Sequence, residues 1–255
     1  MSVDLFNPDE YRMPLMEHLR ELRKRLIVCM IAGGLGCVAT FFFVADIWAF
    51  LVAPMHNALV ETGRGTMAIT EPMEGFVTQI KVAAVAGIGA AAPVFFYQIW
   101  QFVAPGLYPK EQKFVIPLVV CSTLLFAGGV TFGYTVIFRF AFPFFLEITP
   151  ENTEAMLSIN SYLSIATKLL LAFGTTFQLP VVIFALARVG LIDHLDLIHG
   201  FRYAIVAMFV VAAMITPPDI LSQGLMAGPL LILYGVGIVV ARIFSTKTRE
   251  PEDDD

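Results

Sequence analysis

Residues 114–138 read FVIPLVVCSTLLFAGGVTFGYTVIF, 25 residues without a charge. At about 1.5 Å per helical residue this run exceeds the roughly 30 Å hydrocarbon core of a bilayer, and it predicts a transmembrane helix. The same signal recurs on both sides. Residues 26–45 are 20 uncharged residues, 76–100 carry only Lys81, and 161–187 carry only Lys168. Residues 203–241 form a run of 39 interrupted by Thr216-Pro-Pro-Asp219, which predicts two spans joined by a tight turn. The expected spans are 26–45, 76–100, 114–138, 161–187, 203–216 and 220–241. This is an all-α membrane protein of six transmembrane helices, with the fifth and sixth read as short. Stretches 46–75 and 139–160 read as polar loops, and 188–202 returns to polarity. Residues 1–255 form one membrane domain, with 243–255 an acidic, disordered tail.

Composition agrees. Of 255 residues, 58% are hydrophobic and 15% charged, with mean hydropathy +0.78, which excludes an ordinary soluble domain. The first 25 residues are rich in charge and no small-residue cleavage site follows, so the first span is expected to stay. Lys and Arg gather in cytoplasmic loops, and a cytoplasmic N-terminus puts twelve of the sixteen on that side, with only Arg64 and Arg139 opposite. Both termini are then cytoplasmic. Cys29, Cys37 and Cys121 lie in apolar runs without metal or redox spacing and read as ordinary buried thiols.

Pro93, Pro117, Pro180 and Pro229 each remove a backbone donor inside an apolar run and predict kinks. Gly129 with Gly133 and Gly224 with Gly228 permit close helix packing. No phosphate loop, zinc-protease helix or nucleophile elbow is present, so an enzyme is not expected, nor a metal, a cofactor or nucleic-acid binding. Asp193, His194, Asp196 and His199 read as a solvated turn and helix start.

Charge display remains. Leu15, Leu19, Leu22 and Leu26 recur at helical spacing, so one face lies on the membrane or bundle while the charges face water. Glu21 is either paired with Arg25 along the helix or free for a ligand. Glu111, beyond Pro105-Gly106 and Pro109, is either a loop charge beside Lys110 and Lys113 or a second acidic site on the same face. Gln178 is polar at mid-span, where an interhelical hydrogen bond is its structural reading. Lys168 either snorkels or pairs with an outer-loop acid. Asp219 reads as turn and cap chemistry, with Gln223 after it.

The stretches His18-Leu-Arg-Glu-Leu-Arg-Lys-Arg-Leu26, Tyr97-Gln-Ile-Trp-Gln-Phe102, Ala104-Pro-Gly-Leu-Tyr108 through Glu111, Phe173-Gly-Thr-Thr-Phe-Gln-Leu-Pro180 and Ile215-Thr-Pro-Pro-Asp-Ile-Leu-Ser-Gln223 resemble the TatC family, the multispanning subunit of the twin-arginine protein translocase. The likeness runs from about residue 14 to 242. It implies a concave, glove-like bundle in the bacterial cytoplasmic (inner) membrane. It also implies a binding site for twin-arginine signal peptides at Glu21 and Glu111, with Arg23 and Leu107. Single-span partners of the TatA and TatB type are implied near Gln178, Asp219 and Gln223, as are a homo-oligomer within the complex and export driven by the proton motive force. Two positions depart from the family pattern: Gln178 and Gly235 stand where glutamate is common. A proton- or ion-coupled small-solute carrier is the alternative, but it predicts paired halves and a charged mid-membrane site that the sequence lacks.

Overall fold

The computed structural model describes residues 15–63, 65–103, 115–147, 156–215 and 220–245. Helix α1 (Leu15–Phe41) is followed by α2 (Val44–Thr62), strand β1 (Thr66–Ala68), α3 (Glu74–Ala90) and α4 (Ala92–Val103). Then come α5 (Val115–Phe132), a π-helical turn Gly133–Ile137, α6 (Phe138–Glu147), β2 (Met156–Ser158), α7 (Ile159–Thr176) and α8 (Leu179–Arg188). The short α9 (His194–His199), α10 (Phe201–Ile215) and α11 (Ile220–Phe244) complete the chain. Among the described residues, Met16–Phe41, Val115–Glu147, Ile159–Arg188 and Met226–Phe244 are long and apolar enough to cross a membrane. The pair α3 and α4, bent by 50° at Ala91, makes a fifth such unit, and Phe201–Met214 is a shorter apolar helix.

Several expectations are corrected. The leucine-striped basic stretch and the first span are one helix of 27 residues, because nothing between Leu15 and Phe41 breaks it. The first "polar loop" contains α2, whose Leu51, Met55, Ala58 and Leu59 fall three and four apart and are buried together. The second begins as helix: the π turn carries the chain past Arg139 to Glu147. The sixth helix is not short. It has 25 residues, because Arg242 sits in its last turn, where a cation is favourable, instead of ending it. Cys121 is exposed rather than buried.

The expected kinks are realised in part: breaks fall beside Pro93 and Pro180, whereas α5 contains Pro117 and α11 contains Pro229 without interruption. Pro54, inside α2, leaves the Phe50 carbonyl four residues earlier without its helical partner, and the Tyr134 hydroxyl donates to that carbonyl at 2.8 Å. The two rings also stack, 4.1 Å apart. Tyr162 likewise donates to the Leu51 carbonyl at 2.7 Å, and so α2 is fastened across the bundle. Pro93 follows the bend at Ala91, and Pro180 sits in the first turn of α8, just past the break at Phe177 and Gln178.

The β1–β2 pair is parallel, with Thr66 opposite Met156. Beneath it the buried Glu74 carboxylate accepts from the Ser158 hydroxyl (2.6 Å), the Asn160 amide (2.9 Å), the Glu71 amide (3.1 Å), and the Thr70 hydroxyl (2.8 Å) and amide. Asn160 in turn accepts from Lys81 at 3.0 Å. One carboxylate at the start of α3 thus joins the two inter-helix segments on that face.

Glycines set the closest crossings. A Cβ on Gly87 would lie 2.4 Å from the Cys37 nitrogen, and one on Gly36 2.5 Å from the Gly87 carbonyl oxygen, so α1 and α3 touch backbone to backbone. Thr40 adds an interhelical bond to the Ala83 carbonyl at 2.7 Å. Gly129 packs on the Phe173 backbone in the same manner, as expected, whereas Gly224 and Gly228 face open space. Gly87→Ala is expected to force α1 from α3 and lower the thermal midpoint in detergent by about 3–10 °C. Gly89→Ala, with nothing within 4 Å of the added carbon, leaves it unchanged or slightly raised. Equal midpoints for the two variants would contradict this crossing.

Candidate functional site

Helix α1 begins and α4 ends at one rim of the bundle, where His18 stacks on Phe102 with ring centroids 4.4 Å apart. Just below, Leu22, Leu26, Cys29, Ile99 and Phe102 line an apolar groove of about 160 Å³. Its one cation is Arg25, whose guanidinium is paired with Glu21, the Nε donating at 3.1 Å and the Nη2 closer still. The pair is half-buried, and Arg23 and Lys24 beside it are exposed. The helical-pairing reading of Glu21 is therefore realised, and it presents a carboxylate–guanidinium contact at the mouth of a hydrophobic trough.

Glu111 and Leu107 lie outside the described residues. The stretch that carries them starts after Val103 and ends before Val115, and Trp100 and Val115 belong to one buried cluster with Leu118, Val181 and Ala185. The end of α4 and the start of α5 thus pack against each other.

A second polar place lies within the bundle. Gln178, at the break between α7 and α8, donates through Nε2 to the Ser122 carbonyl at 3.0 Å and to the Gly174 carbonyl at 3.4 Å. The buried Ser122 hydroxyl accepts from the Trp100 indole at 2.9 Å. One residue of α5 is therefore tied to α4 and to the α7–α8 break, and the interhelical role read for Gln178 is the one it plays. Gln223 is half-buried on α11, and Asp219 lies outside the described residues. Trp100 and Ser122 were not singled out from sequence. The signal was available, because Trp100 is a polar-tipped ring within an apolar run and needs a partner.

The Asp193 to His199 cluster is helix-capping chemistry. Asp193 and Asp196 form a reciprocal capping box at the start of α9. Burial pushes the Asp193 carboxyl up, but hydrogen bonds from His194 outweigh it and hold the group below the usual carboxylate range.

With the geometry in view, comparison with known proteins is direct. The family model described as Sec-independent protein translocase protein (TatC) matches residues 17–229. A Sec-independent protein translocase protein TatC of Desulforapulum autotrophicum is 42% identical over 246 residues, covering 96% of this chain and 90% of that protein. Its counterpart in Escherichia coli K12 is 39% identical, covering 94% and 92%. A crystal structure of a twin-arginine translocase receptor, TatC, superposes with a TM-score of 0.78 at 36% identity, covering 88% of this chain and 97% of that one. A second, in the detergent DDM, gives 0.80. These relatives are translocase components, not enzymes, and they give no support to a small-solute carrier.

Gln178→Leu deletes the donor to Ser122 and is expected to weaken the seam by about 1 kcal/mol, seen as a lower thermal midpoint in detergent. Gln178→Glu, which donates only when protonated, is also expected to lower it at neutral pH. Two unchanged midpoints would place this side chain outside the seam.

Proposed function

The chain belongs to the TatC family of Sec-independent protein translocases, and from that premise we propose that it is the receptor subunit that binds twin-arginine signal peptides of folded precursors. The observation that carries this reading is the Glu21–Arg25 pair at the mouth of the α1–α4 groove. A carboxylate there already holds a guanidinium, above a trough suited to the apolar segment of a signal sequence. Glu111, in the segment that follows α4 in sequence, is the second acid, with Arg23 and Leu107 contributing. A planar guanidinium fork bonds a carboxylate through two parallel donors, a contact lysine does not reproduce, so discrimination of arginine from lysine follows. An interfacial pair exceeds the roughly 0–1 kcal/mol of a fully exposed one.

The chain acts as a single membrane unit, 1–255, with its N- and C-termini on the cytoplasmic side of the bacterial inner membrane. The Lys and Arg distribution supports that orientation. It works with single-span partners of the TatA and TatB type, which engage the region of Gln178, Asp219 and Gln223, and with further copies of itself within the complex. Export then draws on the proton motive force. Glutamine at 178 cannot titrate, so that position takes part by hydrogen bonding and not by carrying protons.

Glu111→Lys is expected to abolish crosslinking of a twin-arginine signal peptide while the protein stays folded and inserted. Glu21→Ala is expected to weaken binding by about three- to tenfold. Undiminished crosslinking to the Glu111→Lys variant would remove the role assigned to that acid.

A further inference from the structure

Helices α5, α8 and α11 leave between them a slot of about 240 Å³. Leu118, Cys121 and Leu125 line it from α5, spaced by about one turn, while Pro180 and Phe184 of α8 face them and Val240 of α11 closes the side. Among the described residues no charged side chain lines it. The buried Leu118 shares an apolar cluster with Val181 of α8 and forms the floor. The two walls are each fastened elsewhere. Gly237 lets α11 approach α8 so closely that an added Cβ would lie 2.3 Å from Ile183 Cδ1, and Phe184 meets Phe244 edge-on at 5.1 Å. Helix α5 is held at Ser122 by the Trp100 indole and the Gln178 carboxamide. The slot is therefore the space that two fixed helices do not fill.

Shape and charge say what fills it. Leu118 and Leu125 are one heptad apart, about 10 Å at the helical rise, so the slot runs along the membrane helices. About 240 Å³ over that length is too narrow for a helix about 10 Å across, and it suits a single hydrocarbon chain, which supplies the dispersion contacts that an unfilled apolar wall forgoes. Cations stand at one end. Helix α8 finishes with Arg188, one turn beyond Phe184 on the same face, and α11 carries the exposed Arg242 two residues past Val240. Asp193, which meets this end of α11 through Ser245, is bonded to His194 at 2.7 Å. Basic residues at the mouth of an apolar slot between membrane helices complement an anionic headgroup.

We infer that the slot between α5, α8 and α11 is a lipid site, in which one acyl chain of an anionic phospholipid lies along α5 with its phosphate at Arg188 and Arg242. The site is independent of the signal-peptide reading and requires only that the chain spans a membrane.

The test uses the full chain, purified in detergent, stripped of lipid and offered phosphatidylglycerol or phosphatidylcholine with the same oleoyl chains, with bound lipid counted by native mass spectrometry. Phosphatidylglycerol is expected to bind about tenfold more tightly than phosphatidylcholine. The double change Arg188→Gln and Arg242→Gln removes that preference. Cys121→Phe, which fills the slot, lowers retention of both lipids by about fivefold or more, and Leu125→Phe, a smaller gain in volume on the same face, acts alike. In the wild-type chain, bound phosphatidylglycerol slows maleimide modification of the exposed Cys121. Equal retention of the two lipids by the wild-type chain, a preference that survives the arginine changes, or undiminished retention by both slot-filling variants overturns the inference. So does protection of Cys121 by a co-purifying protein when no lipid is bound, because the occupant is then a side chain of a partner.

Discussion

A peptide group inside hydrocarbon has no water to bond, and this constraint shapes the whole chain. Wherever a proline or a break frees a backbone group, something must take it over. At Pro54 it is the Tyr134 hydroxyl on the Phe50 carbonyl. At the α7–α8 break Gln178 reaches the carbonyls of Ser122 and Gly174. These bonds cross between elements far apart in sequence, so each bend is also a fastening, and the bundle is held as a fixed platform. Backbone contact at Gly36 and Gly87 adds dispersion where no hydrophobic drive exists between helices in lipid.

That platform determines where charge can be displayed. The 50° bend at Ala91 turns α4 so that Phe102 meets His18 and the α1–α4 trough forms under Glu21. The acid is half-buried at the rim, where a guanidinium gains more than it would in open water and less than it would lose in the core. Arg25 pairs with Glu21, so on the proposed function a bound peptide would exchange one guanidinium for another. Such an exchange keeps the carboxylate from ever standing alone.

Much of this was legible in the sequence. Uncharged runs picked out the middles of the long helices, although α1 begins eleven residues before the expected start and the helix from Val115 runs nine residues past the expected end; Pro93 and Pro180 lie beside the breaks at Ala91 and Gln178. The i, i+4 spacing of Glu21 and Arg25 announced their pairing. Other features were hidden for identifiable reasons. Helix α2 was read as a loop because charges at Asp46, Glu61 and Arg64 masked the stripe Leu51, Met55, Ala58 and Leu59. Arg139 was read as a span end, yet the helix passes through it. The Glu74 node joins residues more than eighty positions apart, and no local pattern reports such a contact.

The central claim is that carboxylates at the α1–α4 rim grip a pair of guanidinium groups. Its most direct measurement is the affinity of the purified chain for two signal peptides that differ only in having paired arginines or paired lysines. The account predicts binding of the arginine peptide and loss of most affinity for the lysine peptide at the same net charge. Equal affinity for both would mean that only charge, and not the planar fork, is recognised, and would contradict it.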